Sequence, residues 1–181
     1  MNQNNLAPYL NESFKRAALA RCFERTVYQL VQNKVISIPV YLSLGQEYIA
    51  ASFSVIVQEY LKIKPMIFAQ HRSHSVYLCS GGDPNKLIAE LLGIDFPGVN
   101  GMRGSPSIHC QEINMFGHDG FIGSQVPIGV GACQVTRNPT LIFLGDASAE
   151  EDYVLGALGW ASTKNLPIVF VVEDNNLSIL T

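Results

Sequence analysis

The sequence predicts an α/β fold: a parallel sheet with helices on both faces, preceded by N-terminal helices. Three observations predict it. Two short apolar runs, 140–144 and 167–172, flank a segment with helical periodicity, which makes a strand–helix–strand unit. Neither run alternates apolar with polar residues, as expected of strands in a parallel sheet covered on both sides. A long amphipathic stretch comes near the N-terminus, well before these runs.

Residues 13–33 read as the first long helix, with Leu19, Cys22, Phe23, Thr26, Val27 and Leu30 at helical spacing and most charges elsewhere on the wheel. Residues 36–40 are extended or irregular, because Pro39 disfavours helix just before it. A second helix is expected from Ser43, where Ser43 and Gln46 fit a capping box. A short strand follows at 66–69. Asp83 and Pro84 then start a helix that runs to Leu92, with a capping carboxylate followed by proline at the first helical position.

Residues 93–125 hold seven glycines, two prolines and the polar groups His109, His118 and Asp119. A loop of that length in a compact domain is usually functional or disordered, and its apolar flanks favour function. Val126–Val135 reads as a small-residue helix, residues 140–144 as a strand, 149–163 as a helix with Val154, Ala157, Leu158 and Ala161 on one face, and 167–172 as a strand.

A chain of 181 residues, 48% apolar and 15% charged, suits one well-packed domain. A net charge of −3 makes no electrostatic case for nucleic acid or an anionic membrane. The four cysteines lack C-x-x-C spacing, which argues against a zinc site. The N-terminal residues lack the pattern of a signal peptide, and no apolar stretch approaches the roughly 20 residues of a spanning helix. A cytoplasmic protein is expected.

The two strand ends carry the chemistry. Gly145, Asp146 and Ala147 follow the first apolar strand; Asp174, Asn175 and Asn176 follow the second. Ligands of open parallel sheets bind beyond the carboxyl ends of the strands. A carboxylate, side-chain amides and backbone carbonyls are hard oxygen donors suited to magnesium or calcium. A helix starting after Ala147 would add free N–H groups for a phosphate. Taken singly, Gly-Asp after a strand and Asn-Asn in a turn are ordinary structural features.

The segment from Gly145 to Asn176, with 27 residues between Ala147 and Asn175, resembles the metal and diphosphate motif of thiamine-diphosphate enzymes. The chain is more specifically similar to the alpha subunit of the 2-oxo acid dehydrogenase first component, of the pyruvate, branched-chain and acetoin dehydrogenase type. The motifs run in the family's order: LGQE at 44–47, HRSH at 71–74, GGDP at 81–84 leading to AELLG at 89–93, SIH at 107–109, IGSQVP at 122–127, and the cofactor segment. The resemblance implies the diphosphate-binding module of the thiamine-diphosphate-binding fold over residues 1–181, a single domain incomplete at its C-terminal end.

It also implies roles. Asp146, Asn175 and the carbonyl of Leu177 would hold Mg2+ or Ca2+. Gly145, Ala147 and Ser148 would meet the diphosphate of thiamine diphosphate, with His71 and Arg72 reaching it from the other side. Gly120 and Ile122 would line the aminopyrimidine ring. His74 and His109 are candidates for catalysis. Each has a plain structural alternative: core packing for Ile122, loop ordering for His74 and His109, a surface basic pair for His71 and Arg72.

The implied activity is decarboxylation of a 2-oxo acid with acyl transfer to a lipoyl partner, by a subunit inactive without a beta-type pyrimidine-binding subunit. That other subunit supplies the glutamate that activates the cofactor. Self-association through the alpha subunit, giving a heterotetramer, and a lipoyl acyltransferase are the other implied partners. Some positions depart from the family: Ala147 for the glycine at the third position of its Gly-Asp-Gly turn, Gly156 for a glutamate, Tyr41 for a frequent histidine, and GSPS at 104–107 for consecutive glycines. Relatives also continue past the Asn-Asn turn, so a covering partner is expected. A split carboligase or transketolase-like half, and a non-catalytic scaffold relative, are the alternatives. A nicotinamide fold is disfavoured, because no G-x-G-x-x-G follows a strand.

Overall fold

The computed structural model describes residues 6–98, 101–117 and 120–177. His118 and Asp119, noted in the glycine-rich loop, lie outside them. The elements run α1 (Ala7–Gln32), α2 (Glu47–Val55) continuing into a π-helical turn (Ile56–Tyr60), β1 (Met66–Phe68), α3 (His74–Cys79), α4 (Pro84–Leu92), a 3-10 turn (Gln111–Ile113), β2 (Met115–Phe116), α5 (Gln125–Thr136), β3 (Thr140–Gly145), α6 (Asp146–Ala149), α7 (Asp152–Thr163) and β4 (Ile168–Glu173).

The strands form one parallel sheet in the order β2-β1-β3-β4. Side chains on a strand alternate between faces, so β3 feeds two cores. Leu141 and Phe143 join a cluster with Ile67, Val171 and residues of α1, α2 and α3. Ile142 and Leu144 join a second cluster with Val126, Val130, Val154, Ala157 and Ala161 from α5 and α7. Helices therefore cover both faces, which is why the β3 run is wholly apolar. Among the described residues no helix is long and apolar enough to cross a membrane.

Several local expectations hold. Asp83 caps α4, accepting a hydrogen bond from the Asn85 N–H at 2.8 Å, and Gly93 closes that helix in the left-handed region. On α7, Val154, Ala157 and Ala161 are buried as read from their spacing.

Others change. The first helix begins at Ala7, and its buried stripe is Ala17, Ala20, Glu24 and Val27, while Leu19, Cys22 and Thr26 are exposed. The wheel is turned because Glu24 is fully buried as a polar anchor. No capping box forms at Ser43: α2 starts at Glu47, and Ser43 donates from Oγ to Glu24 Oε1 at 2.5 Å instead. A buried carboxylate outcompetes the helix end for that hydroxyl. The helix expected at 149–163 is split, because Glu151 is extended (φ −69°, ψ 138°) between the single turn of α6 and the start of α7.

Candidate functional site

From β1 the chain crosses to β2 on one side, then returns to place β3 on the other. Such a reversal leaves a crevice beyond the carboxyl ends of the two strands, and ligands of open α/β sheets bind there. The segment after β1 (Gln70, His71, Arg72) and the segment after β3 (Gly145 to Ser148) border that crevice. The end of β4 adds Glu173, Asn175 and Leu177. The loops supply Tyr41 and Gln46 before α2, and Gly120 and Ile122 before α5. Together they enclose a cavity of about 400 Å³, within the usual range for a small-molecule site.

Every residue singled out above for cofactor or cation contact borders this one cavity: His71, Arg72, Gly120, Ile122, Gly145, Asp146, Ala147, Ser148, Asn175 and Leu177. Their local settings differ. Asp146 to Ala149 form one helical turn, and the first N–H groups of a helix have no partner within it. Those N–H groups, rather than the dipole of a long helix, are what the turn presents, since α7 starts only at Asp152. Ser148 donates its hydroxyl to the Gly145 carbonyl at 2.8 Å, so its hydrogen ties the turn together. Asn175 accepts a hydrogen bond from the Leu177 N–H through Oδ1 at 2.8 Å, which fixes the turn that brings both residues to the cavity.

Ala147 lies in the helical region, not at positive φ, so its methyl costs the turn nothing. Gly156 is exposed and does not border the cavity. Ile122 is 44% exposed, not core, and Tyr153 donates a hydrogen bond from its hydroxyl to the Ile122 carbonyl. Gly120 has φ +102°, a conformation that side-chain-bearing residues rarely adopt. Tyr41 meets the His71 ring edge-on, with centroids 5.2 Å apart.

The two histidines considered for catalysis sit elsewhere. His74 is fully buried: Nδ1 is 3.2 Å from Glu24 Oε2, and Nε2 is 2.9 Å from Ser105 Oγ. Ser105 in turn accepts from the Tyr41 N–H at 2.9 Å. His74 thus ties α1 and the glycine-rich loop to the irregular segment before α2 that carries Tyr41 to the cavity. His109 borders a separate cleft with Lys86 and Arg103. Burial, and then the Arg103 charge, lower its pKa below the ordinary histidine value.

Glu173 was not foreseen. It is 1% exposed, accepts a hydrogen bond on Oε2 from Gln70 Nε2, and leaves Oε1 without a partner among the described residues. Burial pushes its carboxyl pKa up to about 7, against the opposing effect of Gln70. In the sequence it is one acidic residue after an apolar run; only the packing turns it inward. Among the described residues no three His, Cys, Asp or Glu side chains converge as a metal cluster. Any cation here would rely on carboxamide and backbone oxygens as well as carboxylate.

The profile of the dehydrogenase E1 component family matches residues 14–181. The pyruvate dehydrogenase E1 component subunit alpha of Rickettsia conorii is 30% identical over 175 residues, covering 94% of this chain and 52% of that protein. The subunit of the same name from Zymomonas mobilis is 30% identical over 177 residues, covering 95% and 49%. The mitochondrial subunit alpha-1 of Arabidopsis thaliana is 28% identical over 177 residues, covering 95% and 44%. The chain spans about half the length of the curated relatives it matches.

Proposed function

The chain belongs to the dehydrogenase E1 component family, and from that premise we propose that it is an alpha-type subunit binding thiamine diphosphate and a divalent cation in an enzyme that decarboxylates a 2-oxo acid. The observation that carries this reading is that the ten residues the resemblance implies for cofactor and cation all border one cavity at the switch point of the sheet. Residues 1–181 serve as the diphosphate-binding module.

The donors suit the ligand. Asp146, the Asn175 carboxamide and the Leu177 carbonyl are hard oxygen ligands for Mg2+ or Ca2+. Arg72 offers a planar fork that can bond two phosphate oxygens at once, and it borders the same cavity as the N–H groups of α6. Ile122 offers an apolar, half-exposed surface suited to a ring. When bound, thiamine diphosphate supplies the carbon nucleophile for 2-oxo acid chemistry. This chain's residues anchor, orient and neutralise; the glutamate that activates the cofactor comes from a beta-type pyrimidine-binding subunit. Acyl transfer to a lipoyl partner, self-association through the alpha subunit and a cytoplasmic setting complete the proposal.

The outward surface supports a covering partner. On the edge strand β4, Val169 and Val172 are about half exposed, as are Leu155 and Trp160 on α7. Unpaired apolar edges are liabilities that proteins normally cover. The test is calorimetry with thiamine diphosphate and Mg2+, with and without a beta-type subunit. Binding lost in Asp146→Ala is the expected result. Binding by Asp146→Ala equal to wild type would remove the assignment.

A further inference from the structure

The floor of the cavity holds a buried carboxylate for which the cofactor reading has no task. Glu173 ends β4, and its register partner on β3 is Gly145. Gln70 follows β1 on the far side of β3, and its Nε2 hydrogen-bonds Glu173 Oε2 across the end of that strand. The glycine makes the bridge possible: a Cβ at Gly145 would stand 3.2 Å from Gln70 Oε1, tighter than an ordinary contact. Two long side chains meet over a residue that has none.

Glu173 Oε1 has no partner among the described residues, although the residue is 1% exposed and borders the same cavity as Asp146 and Asn175. A buried acceptor left unmet is costly, so a bound state that supplies a donor is favoured. Phosphate oxygens are acceptors and do not serve the ionised carboxylate. A hard divalent cation does: it takes about six oxygens, and a small one such as Mg2+ keeps several of its waters. Those waters are polarised donors. Asp146, Asn175 and the Leu177 carbonyl leave coordination positions for them.

We propose that Glu173 is a positioning residue for the cation: Oε1 accepts a hydrogen bond from a cation-bound water while Gln70 fixes Oε2. The proposal rests on the cation reading above, and its test separates the two.

The chain in complex with a beta-type subunit is titrated with Mn2+ at saturating thiamine diphosphate, with free Mn2+ read by electron paramagnetic resonance. Glu173→Gln is expected to weaken Mn2+ by about ten- to hundredfold, the usual effect of losing an outer partner of a metal site. Glu173→Asp, which keeps the charge, recovers part of that loss. Both variants should match wild type in far-UV circular dichroism. If Glu173→Gln binds within about twofold of wild type while Asp146→Ala does not bind, the Glu173 role falls and the cation site stands. If Asp146→Ala is also unchanged, or wild type takes up no Mn2+, both fall. Equal losses in Asp and Gln variants point to packing alone and overturn the role. Should Glu173→Gln fail to fold, Gln70→Ala decides: affinity reduced beyond about twofold supports the proposal, and unchanged affinity overturns it.

Discussion

Glu24 on α1 and His74 on α3, neither with any exposed surface, face each other 3.2 Å apart. The other oxygen of Glu24 accepts from both the N–H and the hydroxyl of Ser43, at 2.7 and 2.5 Å. One carboxylate therefore joins α1, the segment before α2 and the start of α3, and through Ser105 it reaches the backbone of Tyr41. Glu24→Ala strands three buried partners at once. The expected loss of stability is about 3 kcal/mol or more, read by urea denaturation. A loss near zero would mean that the network is dispensable.

Arg21 grips Glu47 with two hydrogen bonds, at 2.5 and 2.7 Å, and the Gly45 N–H adds a third donor. Burial raises the Glu47 pKa, but the hydrogen bonds from Arg21 and the backbone outweigh it, and the net shift is downward. The folded pKa is below the unfolded one, so this stabilisation is present above the ordinary value of 4.5 and is lost as pH falls through the lower folded value. Glu47→Gln should show a shallower fall in melting temperature on acidification. Parallel pH profiles for the variant and wild type would count against this account.

Arg72 borders the same cavity as the α6 turn. Removing a charge-assisted hydrogen bond costs about 1.5–3 kcal/mol, so Arg72→Ala should weaken thiamine diphosphate by about ten- to hundredfold in calorimetry. Arg72→Lys keeps the charge but loses the planar fork, and should recover only part of the affinity. A lysine variant equal to wild type would show that charge alone suffices.

Ala147 stands in a helical turn. Ala147→Gly should therefore leave cofactor affinity unchanged and lower stability by about 0.5–1 kcal/mol, the usual cost of glycine in a helix. A gain in affinity would show that the ligand approaches closer than the methyl allows.

The candidate site was largely legible in the chain. Asp146, Ala147 and Asn175 follow strands marked by apolar runs, and strand ends in a parallel sheet are where ligands sit. Asp83 and Pro84 announced α4 because a cap and its proline act within one turn. These are local signals. His71, Arg72, Gly120, Ile122 and Leu177 came from family resemblance, and the fold brings them to the same cavity.

What only the tertiary structure decided involves partners far apart in sequence. Glu24 is a charged residue on an amphipathic helix until Ser43 and His74 turn it into the buried centre of a network. Ser43 fits a capping pattern until that same carboxylate takes its hydroxyl. Glu173 closes an apolar strand until Gln70, 103 positions earlier in the chain, draws it across Gly145 into the cavity floor. Periodicity and capping report the energy of a few neighbouring residues. The position of a buried polar group depends on which distant donors reach it, and only the packed chain determines that.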